Sequence, residues 1–302
     1  MKISFKGVAT LALAMSFLLP VSYGQTPSNV FSESGTRLPT TPIDDIVPRT
    51  LTTSRRVLAY DNPREADIAW QKRVEQVIDV RERMNLPFVY EQRPFLTILL
   101  DAVSKGVEDE NSPLPPMRFF KDEKFTLEMG PDDLNGILYT IDTVSVTDPE
   151  TYEVKQTTVR NELSPDDIKR FRVKEIWYFD KEAGVVKSRI IGFAPLKPIK
   201  ADGSNASLGN GPLPETPMFW IYYPDAREYL ARERVFNEMN DSAPMSWEDV
   251  FEMRFYNSYV FKASNVQDGR LKDFFPNAKD RLMESQKIKD EILNYEIDLW
   301  VY

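Results

Sequence analysis

Between Pro63 and Gly106 the hydrophobic residues are spaced as in helices. From Pro63 to about Met84, apolar side chains recur every three or four residues, which predicts an amphipathic helix capped by Asn62. The stretch "PFLTILLDAVSKG" predicts a second helix that stops at Gly106. A helical pair is therefore expected to begin the folded part. The stripe of the first helix comprises Ala66, Trp70, Val74, Val77 and Arg81, widened by Ile78, and Trp70 is expected in the core.

Beyond Gly106 apolar and polar residues alternate, as they do in β-strands. "VKEIWYFD" and "VVKSRIIGFAPL" are predicted to form a hairpin across the tight turn "KEAG". Ser164 is placed as the cap of a short helix, "LSPDDIKRF". Three further predicted strands precede that helix: "RFFKDEKFTLEM", "LYTIDTVSVTD" and "TYEVKQTTVR".

An aromatic cluster, "FWIYY" at 219–223, follows a flexible loop predicted near 197–217. Its alternation predicts a strand covered on both faces, with Trp220 and Tyr222 pointing away from their neighbours. Burial in a core accounts for all these rings. The excess of aromatic side chains over one buried face also indicates a contact surface, so Trp220 and Tyr222 are the candidate partner interface.

The C-terminal part returns to helical spacing. Helices are predicted in "DAREYLARERVFNEMN" and in "MSWEDVFEMR", where Ser246 and Asp249 form a capping box, and a strand in "FYNSYVFKAS". The end, "RLMESQKIKDEILNYEIDLWVY", predicts a terminal helix. Together the patterns predict an α+β fold, in which an N-terminal helical pair leads into a small, mostly antiparallel sheet with additional packed helices.

Composition narrows the chemistry that the chain can perform. Its 302 residues are 42% hydrophobic, which suffices for a substantial core, but they include no histidine and no cysteine. The usual zinc ligands, the thiolate nucleophile and the histidine base that activates serine are therefore excluded. No catalytic residue, metal site or cofactor is predicted.

The first 24 residues have the features of a secretory signal peptide. Lys2 and Lys6 precede a short apolar run, and Ser22 and Gly24 are small residues at cleavage-site spacing. We expect cleavage between Gly24 and Gln25. The apolar run is shorter than the roughly 20 residues that span a bilayer, so no direct membrane span is predicted. Because no cysteine follows the cleavage site, lipid anchoring there is excluded and a bacterial periplasm is the expected destination.

Residues 25–56 are rich in Ser, Thr and Pro without periodicity, which predicts an extended or disordered arm before a folded domain at 57–302. With Lys2 and Lys6 removed, 36 of the 38 basic side chains stand against 47 acidic ones, a net charge of −11. Phosphate backbones would be repelled, so nucleic acid is an unexpected partner.

Acidic pairs are the remaining candidates for catalysis. Asp132 and Asp133, like Asp166 and Asp167, stand at predicted helix starts, where capping explains them. Glu175 and Asp180 lie on opposite faces of a predicted strand. No calcium loop, phosphate loop or nucleophile elbow occurs. A carboxylate-based hydrolase or a periplasmic binding module therefore stays an alternative to a structural protein.

Four long blocks resemble the GldN/PorN family of gliding-motility and type IX secretion proteins of Bacteroidota, in order from about Val57 to Tyr302. They are "YDNPREADIAWQKRVEQVIDVRERMNLPFVY", "KEIWYFDKEAGVVKSRIIGFAPL", "FWIYYPDAREYLARERVFNEMND" and "SWEDVFEMRFYNSYVFKASN". The resemblance implies a non-enzymatic subunit of a periplasmic ring beneath the outer membrane. It further implies association with the lipoprotein GldK/PorK, contact with the periplasmic region of the motor component GldM/PorM, and self-association within the ring.

Overall fold

Along the described part of the chain, groups of one to four strands alternate with groups of one or two helices. The computed structural model describes residues 55–107, 113–147, 154–198, 215–240 and 242–299. The strands are β1 Ile68–Asp79, β2 Phe119–Phe120, β3 Tyr139–Thr147, β4 Val154–Glu162, β5 Arg170–Asp180, β6 Val185–Pro198, β7 Glu215–Pro217, β8 Trp220–Tyr222 and β9 Tyr259–Ala263. The α-helices are α1 Phe95–Ser104, α2 Pro131–Leu138, α3 Tyr223–Arg232, α4 Trp247–Glu252, α5 Leu271–Phe274 and α6 Ala278–Asp298, and short 3-10 helices span Glu65–Asp67, Arg83–Val89 and Pro165–Asp167.

The first predicted helix, Pro63 to Met84, is wrong, because this segment contains the long strand β1. Its second half is buried on both faces, so its apolar residues need not alternate, and their spacing fits a helix and a strand equally well. The segment is rich in β-branched residues, which favour strands. Pairing with β5 along nearly its whole length, including Val74 opposite Glu175, then decides the conformation.

The second predicted helix is confirmed as α1. Gly106, just beyond it, has a φ of 72°, and a side chain there would approach the carbonyl oxygen of Leu114. Glycine is therefore required where the chain leaves the helix.

Seven strands form one sheet. Six of them follow the order β2, β8, β6, β5, β1 and β9, and β7 pairs with β6. All strand pairings in the described part of the chain are antiparallel, and the predicted hairpin is confirmed as β5 and β6. Strands β3 and β4 form a separate hairpin. The mostly antiparallel α+β fold is thus confirmed, although the helical pair is not.

Of the three predicted helix caps, Ser164 and Ser246 are confirmed, whereas Asn62 is wrong because the first 3-10 helix has Arg64 at its N-cap. The hydroxyl of Ser246 accepts from the amide of Asp249 while the Asp249 carboxylate accepts from Ser246 N–H, which completes a capping box on α4. Ser164 caps a short 3-10 helix in place of the predicted α-helix. The helix predicted at 225–240 begins earlier, at Tyr223, and ends at Arg232. The terminal helix is confirmed as α6.

The two faces of the large sheet are covered differently. Helices α1, α3 and α4 pack on one face over the main core, and α6 packs over a smaller core around Val74, Val260 and Ile292. The opposite face carries a small aromatic cluster formed by Phe120, Ala194 and Trp220, with Phe125 and Tyr222 against it.

No helix within the described ranges is long and apolar enough to cross a membrane. The predicted signal peptide, the arm up to residue 54 and most of the loop predicted at 197–217 lie outside these ranges.

A candidate protein-binding groove

The predicted interface residues occupy the aromatic cluster. Trp220 is only 2% exposed, and its ring meets Phe125 edge-on at 6.3 Å. Tyr222 is half-buried and contacts the same ring at 5.3 Å. On the other face of β8, Phe219, Ile221 and Tyr223 are buried in the main core. The alternation is thus confirmed, whereas the partner-binding role of Trp220 and Tyr222 stays a prediction.

Two of the acidic side chains considered for catalysis, Asp133 and Asp180, have structural roles. Asp133 accepts from the amide of Gly130 at the start of α2. Asp180 pairs with Lys187 at 2.7 Å, and its pKa is lowered chiefly by that hydrogen bond. Among the described residues no cluster of carboxylates is arranged to hold a metal ion.

Glu175 is fully buried between the two cores, and three side chains engage its carboxylate. Arg254 donates at 2.6 Å, Trp177 at 2.9 Å and Tyr256 at 3.3 Å. The Arg254 guanidinium also stacks on the Trp177 ring at 4.3 Å. This network satisfies a buried charge that would otherwise be costly, and it joins β5 to the segment after α4.

A groove of about 950 Å³ opens beside α4. One wall is the 3-10 helix Arg83–Val89, the other is the segment 235–239 after α3, and α4 supplies the floor. The lining is Arg83, Met84, Leu86, Pro87, Phe88, Val89, Tyr90, Glu91, Val235, Phe236, Asn237, Glu238, Met239, Met245, Trp247, Val250 and Phe255. Most of these side chains are apolar, unlike those of a typical hydrolytic site.

Several large apolar side chains of the groove are open to solvent. Their exposed fractions range from 38% for Phe236 to 91% for Met239, with Met84, Leu86 and Phe255 between them. Single exposed apolar residues are ordinary, but a contiguous set in a concavity is typical of a binding surface. Methionine side chains adapt their shape to a partner, which suits a protein contact.

The first wall is fixed by a buried asparagine. Asn85 is fully buried; its amide donates to the carbonyl oxygens of Asp79 and Asn257 at 2.8 Å each, and its oxygen accepts from Asn257 N–H at 2.9 Å. Asp79 in turn binds Arg81 and Arg170. Side-chain hydrogen bonds from Arg81 are the main reason that the pKa of Asp79 lies well below its ordinary value.

The second wall is held where it leaves α3. Val235 N–H donates to the carbonyl of Met245 at 2.9 Å, and Trp247 N–H to that of Glu233 at 3.0 Å. Arg93 bridges Glu233 and Asp101 with ion pairs of 2.7 and 2.6 Å. The rings of Tyr90 and Phe236 stack across the groove at 4.5 Å. The groove is therefore preformed, with its apolar side chains displayed on a fixed backbone.

Most of the chain matches a known protein family. The sequence pattern of the family described as "Gliding motility associated protein GldN" matches residues 63–301, which include both walls of the groove. The chain belongs to the GldN family. A search among curated proteins gives no match. The resemblance of the four sequence blocks to GldN/PorN is thereby confirmed.

The described residues before the GldN match form a short strap over α3 and α4. Arg55, at the end of the predicted arm, makes two hydrogen bonds to Asp249, at 2.5 and 2.6 Å. Tyr60 lies beneath the guanidinium of Arg227 at 3.8 Å and donates its hydroxyl hydrogen to Glu252. The point where the arm joins the GldN domain is therefore held by charged and aromatic contacts.

Sequence reasoning missed the groove. Met84 and Phe255 stand at the ends of segments predicted as helix and strand, where apolar residues are normally assigned to the core. "RMNLPFVY" does contain a signal, since Pro87 interrupts the helical period and leaves apolar residues without a regular face.

Proposed function

We propose that this GldN-family chain is a non-enzymatic structural subunit of the periplasmic ring in the type IX secretion and gliding machinery. In this proposal the chain is exported, associates with the lipoprotein GldK/PorK on the inner side of the outer membrane, contacts the motor component GldM/PorM and supports protein secretion. Membership of a gliding-motility family supports the setting. The observation that carries the structural role is the preformed apolar groove.

We assign the groove to the lipoprotein. An apolar segment of a partner can lie in a groove of this kind, with its anchors against Met84, Phe236 and Met239. The well-packed floor around Phe88 and Trp247, whose rings meet at 4.7 Å, gives such a segment a rigid surface. Rigid sites lose little conformational entropy on binding, which favours affinity.

The hydrolase alternative has weaker support in the described residues. Glu175 and Asp180 are both engaged by basic side chains in ion pairs. A general acid or base needs a carboxyl group that can reach a substrate. The groove offers mainly apolar contacts and so favours a protein partner over hydrolysis.

A charge placed in the groove tests the proposal. Met239→Glu changes a side chain that is 91% exposed, so the fold should persist. We expect this variant to recover much less GldK/PorK than the wild type when it is purified from detergent-solubilised envelope. Val266→Glu is the matched control, because Val266 is equally apolar, fully exposed and outside the groove.

Equal recovery of the lipoprotein by both variants would remove the groove from the proposal. Absence of GldK/PorK and GldM/PorM from the wild-type sample would count against the ring role itself. N-terminal sequencing of the periplasmic fraction checks export separately, since mature protein should begin at Gln25.

A further inference from the structure

A second cavity, of about 510 Å³, lies on the opposite face of the sheet from the main core. It is formed by β1, β5, β9, the loop that follows β9, and the loop around Glu123. Four basic and three acidic side chains line it, in a protein whose overall net charge is −9. The lining is Gln71, Arg73, Glu75, Glu123, Lys124, Lys174, Lys262, Ala263, Ser264, Asn265 and Asp268.

Lys174 is the unusual member of this cavity. It is 6% exposed, and its ammonium donates to the carbonyl oxygen of Glu123 at 2.8 Å. No carboxylate of the described residues lies within ion-pair distance of it, that is, within 4.0 Å. Burial lowers the pKa of Lys174, because the charged form has lost water without gaining a direct counter-ion.

A second buried cation adjoins Lys174 on the same face of β5. Arg172 is also 6% exposed, its guanidinium stacks on Phe261 at 4.2 Å, and its buried Nε has no hydrogen-bond partner. Arg270 approaches the same ring at 5.4 Å and adds positive charge. Burial is the main cause that lowers the pKa of Arg172.

The acidic side chains compensate these cations only partly. Lys262 pairs with Asp268 at 2.7 Å and lies 3.9 Å from Glu75, so one lysine already engages both carboxylates. Burial, followed by the charge of Glu123, raises the pKa of Glu75. Uncompensated buried charge destabilises a fold, and an added anion would relieve that cost.

We propose that this cavity binds one carboxylate group, with the Lys174 ammonium as its direct partner and Lys262 beside it. The lining carries one more basic than acidic side chain, which matches a singly charged ligand. A phosphate dianion would meet repulsion from Glu75, Glu123 and Asp268, so a carboxylate is favoured over phosphate. The carboxylate belongs either to a small organic acid or to an acidic side chain of a protein. The site is independent of the groove and of the proposed ring role.

Lysine side-chain NMR signals can follow this binding in the purified chain. Acetate and succinate serve as small probes, and an end-blocked peptide with one Asp serves as the protein-borne form, with the Asn peptide as its control. Chloride at matched ionic strength corrects for general salt effects. We expect saturable shifts of the Lys174 and Lys262 signals with the carboxylates.

Lys174→Met should weaken that binding at least about tenfold, since it removes a charge-assisted hydrogen bond. Lys181→Met is the matched control, because Lys181 also donates to one carbonyl, that of Ala66, but is exposed and outside the cavity. If Lys174→Met does not fold, Lys262→Met supplies the same comparison. Tighter binding of the Asp peptide than of acetate or succinate identifies a protein-borne carboxylate, and the reverse order a small acid.

Three results would overturn the proposal. One is the absence of any saturable shift with all the carboxylate probes, and another is unchanged binding in the lysine variants of the cavity. The third is tighter binding of inorganic phosphate than of acetate or succinate, which would contradict the carboxylate assignment. None of these results bears on recovery of the lipoprotein, so the two proposals can fail separately.

Discussion

The aromatic stretch 219–223 and the groove around Met239 are both rich in apolar side chains, but those of the stretch are buried and those of the groove are exposed. In the first, Phe219, Trp220 and Ile221 are all at most 2% exposed. In the second, Met84 and Met239 are 43% and 91% exposed. The region that stands out in the sequence is the one that the fold closes, and the inconspicuous region is the one that it leaves open.

The difference teaches that hydrophobic content does not identify an interface. Alternation correctly places Trp220 and Tyr222 together on one face of β8. It does not show what covers that face, because Phe125 comes from a loop nearly a hundred residues earlier. Whether a side chain is exposed depends on which distant segments pack over it, and local sequence patterns do not carry that information.

The largest effect on stability is expected from a substitution in the buried aromatic cluster. Trp220→Ala should lower the free energy of unfolding by about 3–5 kcal/mol, because it leaves a cavity among Phe120, Ala194 and Phe125. Denaturant unfolding measures the loss. Tyr222→Phe, which keeps the ring, should cost far less. Wild-type stability in Trp220→Ala together with lost lipoprotein binding would instead identify Trp220 as an interface residue.

The second prediction concerns the backbone that holds the groove open. Asn85→Ala removes three hydrogen bonds, two donated to the carbonyls of Asp79 and Asn257 and one accepted from Asn257 N–H. We expect a loss of about 2–4 kcal/mol, summed from ordinary values for single buried bonds. Urea unfolding checks it. A loss below about 0.5 kcal/mol would show that the wall does not depend on Asn85.

Asn85 also shows how far the sequence could predict the structure. The hairpin of β5 and β6, α1, the capping box on Ser246 and α6 all follow from local spacing and turn chemistry. The strand β1 does not, because its partners β5 and β9 lie about one hundred and nearly two hundred residues away. The groove depends on the same long-range pairing, since Asn85 is bonded to Asn257.

Acid should weaken the same wall. The carboxylate of Asp79, bonded to Arg81 and Arg170, has a lowered pKa in the folded chain. Its contribution to stability is therefore complete above the unfolded pKa of about 4 and is lost as the pH falls below that value toward the folded pKa. Asp79→Asn should be less stable than the wild type at pH 7, and the gap should narrow by pH 3. Unfolding curves across this range test it, and a constant gap would contradict it.

The smallest effect on stability is expected from a substitution in the exposed groove. Met239→Ser removes an apolar side chain that contacts mainly solvent, so the free energy of unfolding should change by no more than about 0.5 kcal/mol. The same substitution should weaken lipoprotein binding by roughly fivefold or more, because interface anchors contribute through area that is buried only in the complex. Thermal unfolding and a binding titration on one preparation measure both quantities. A marked loss of stability would mean that Met239 is covered in the free chain, and the contrast between the closed aromatic strand and the open groove would then fail.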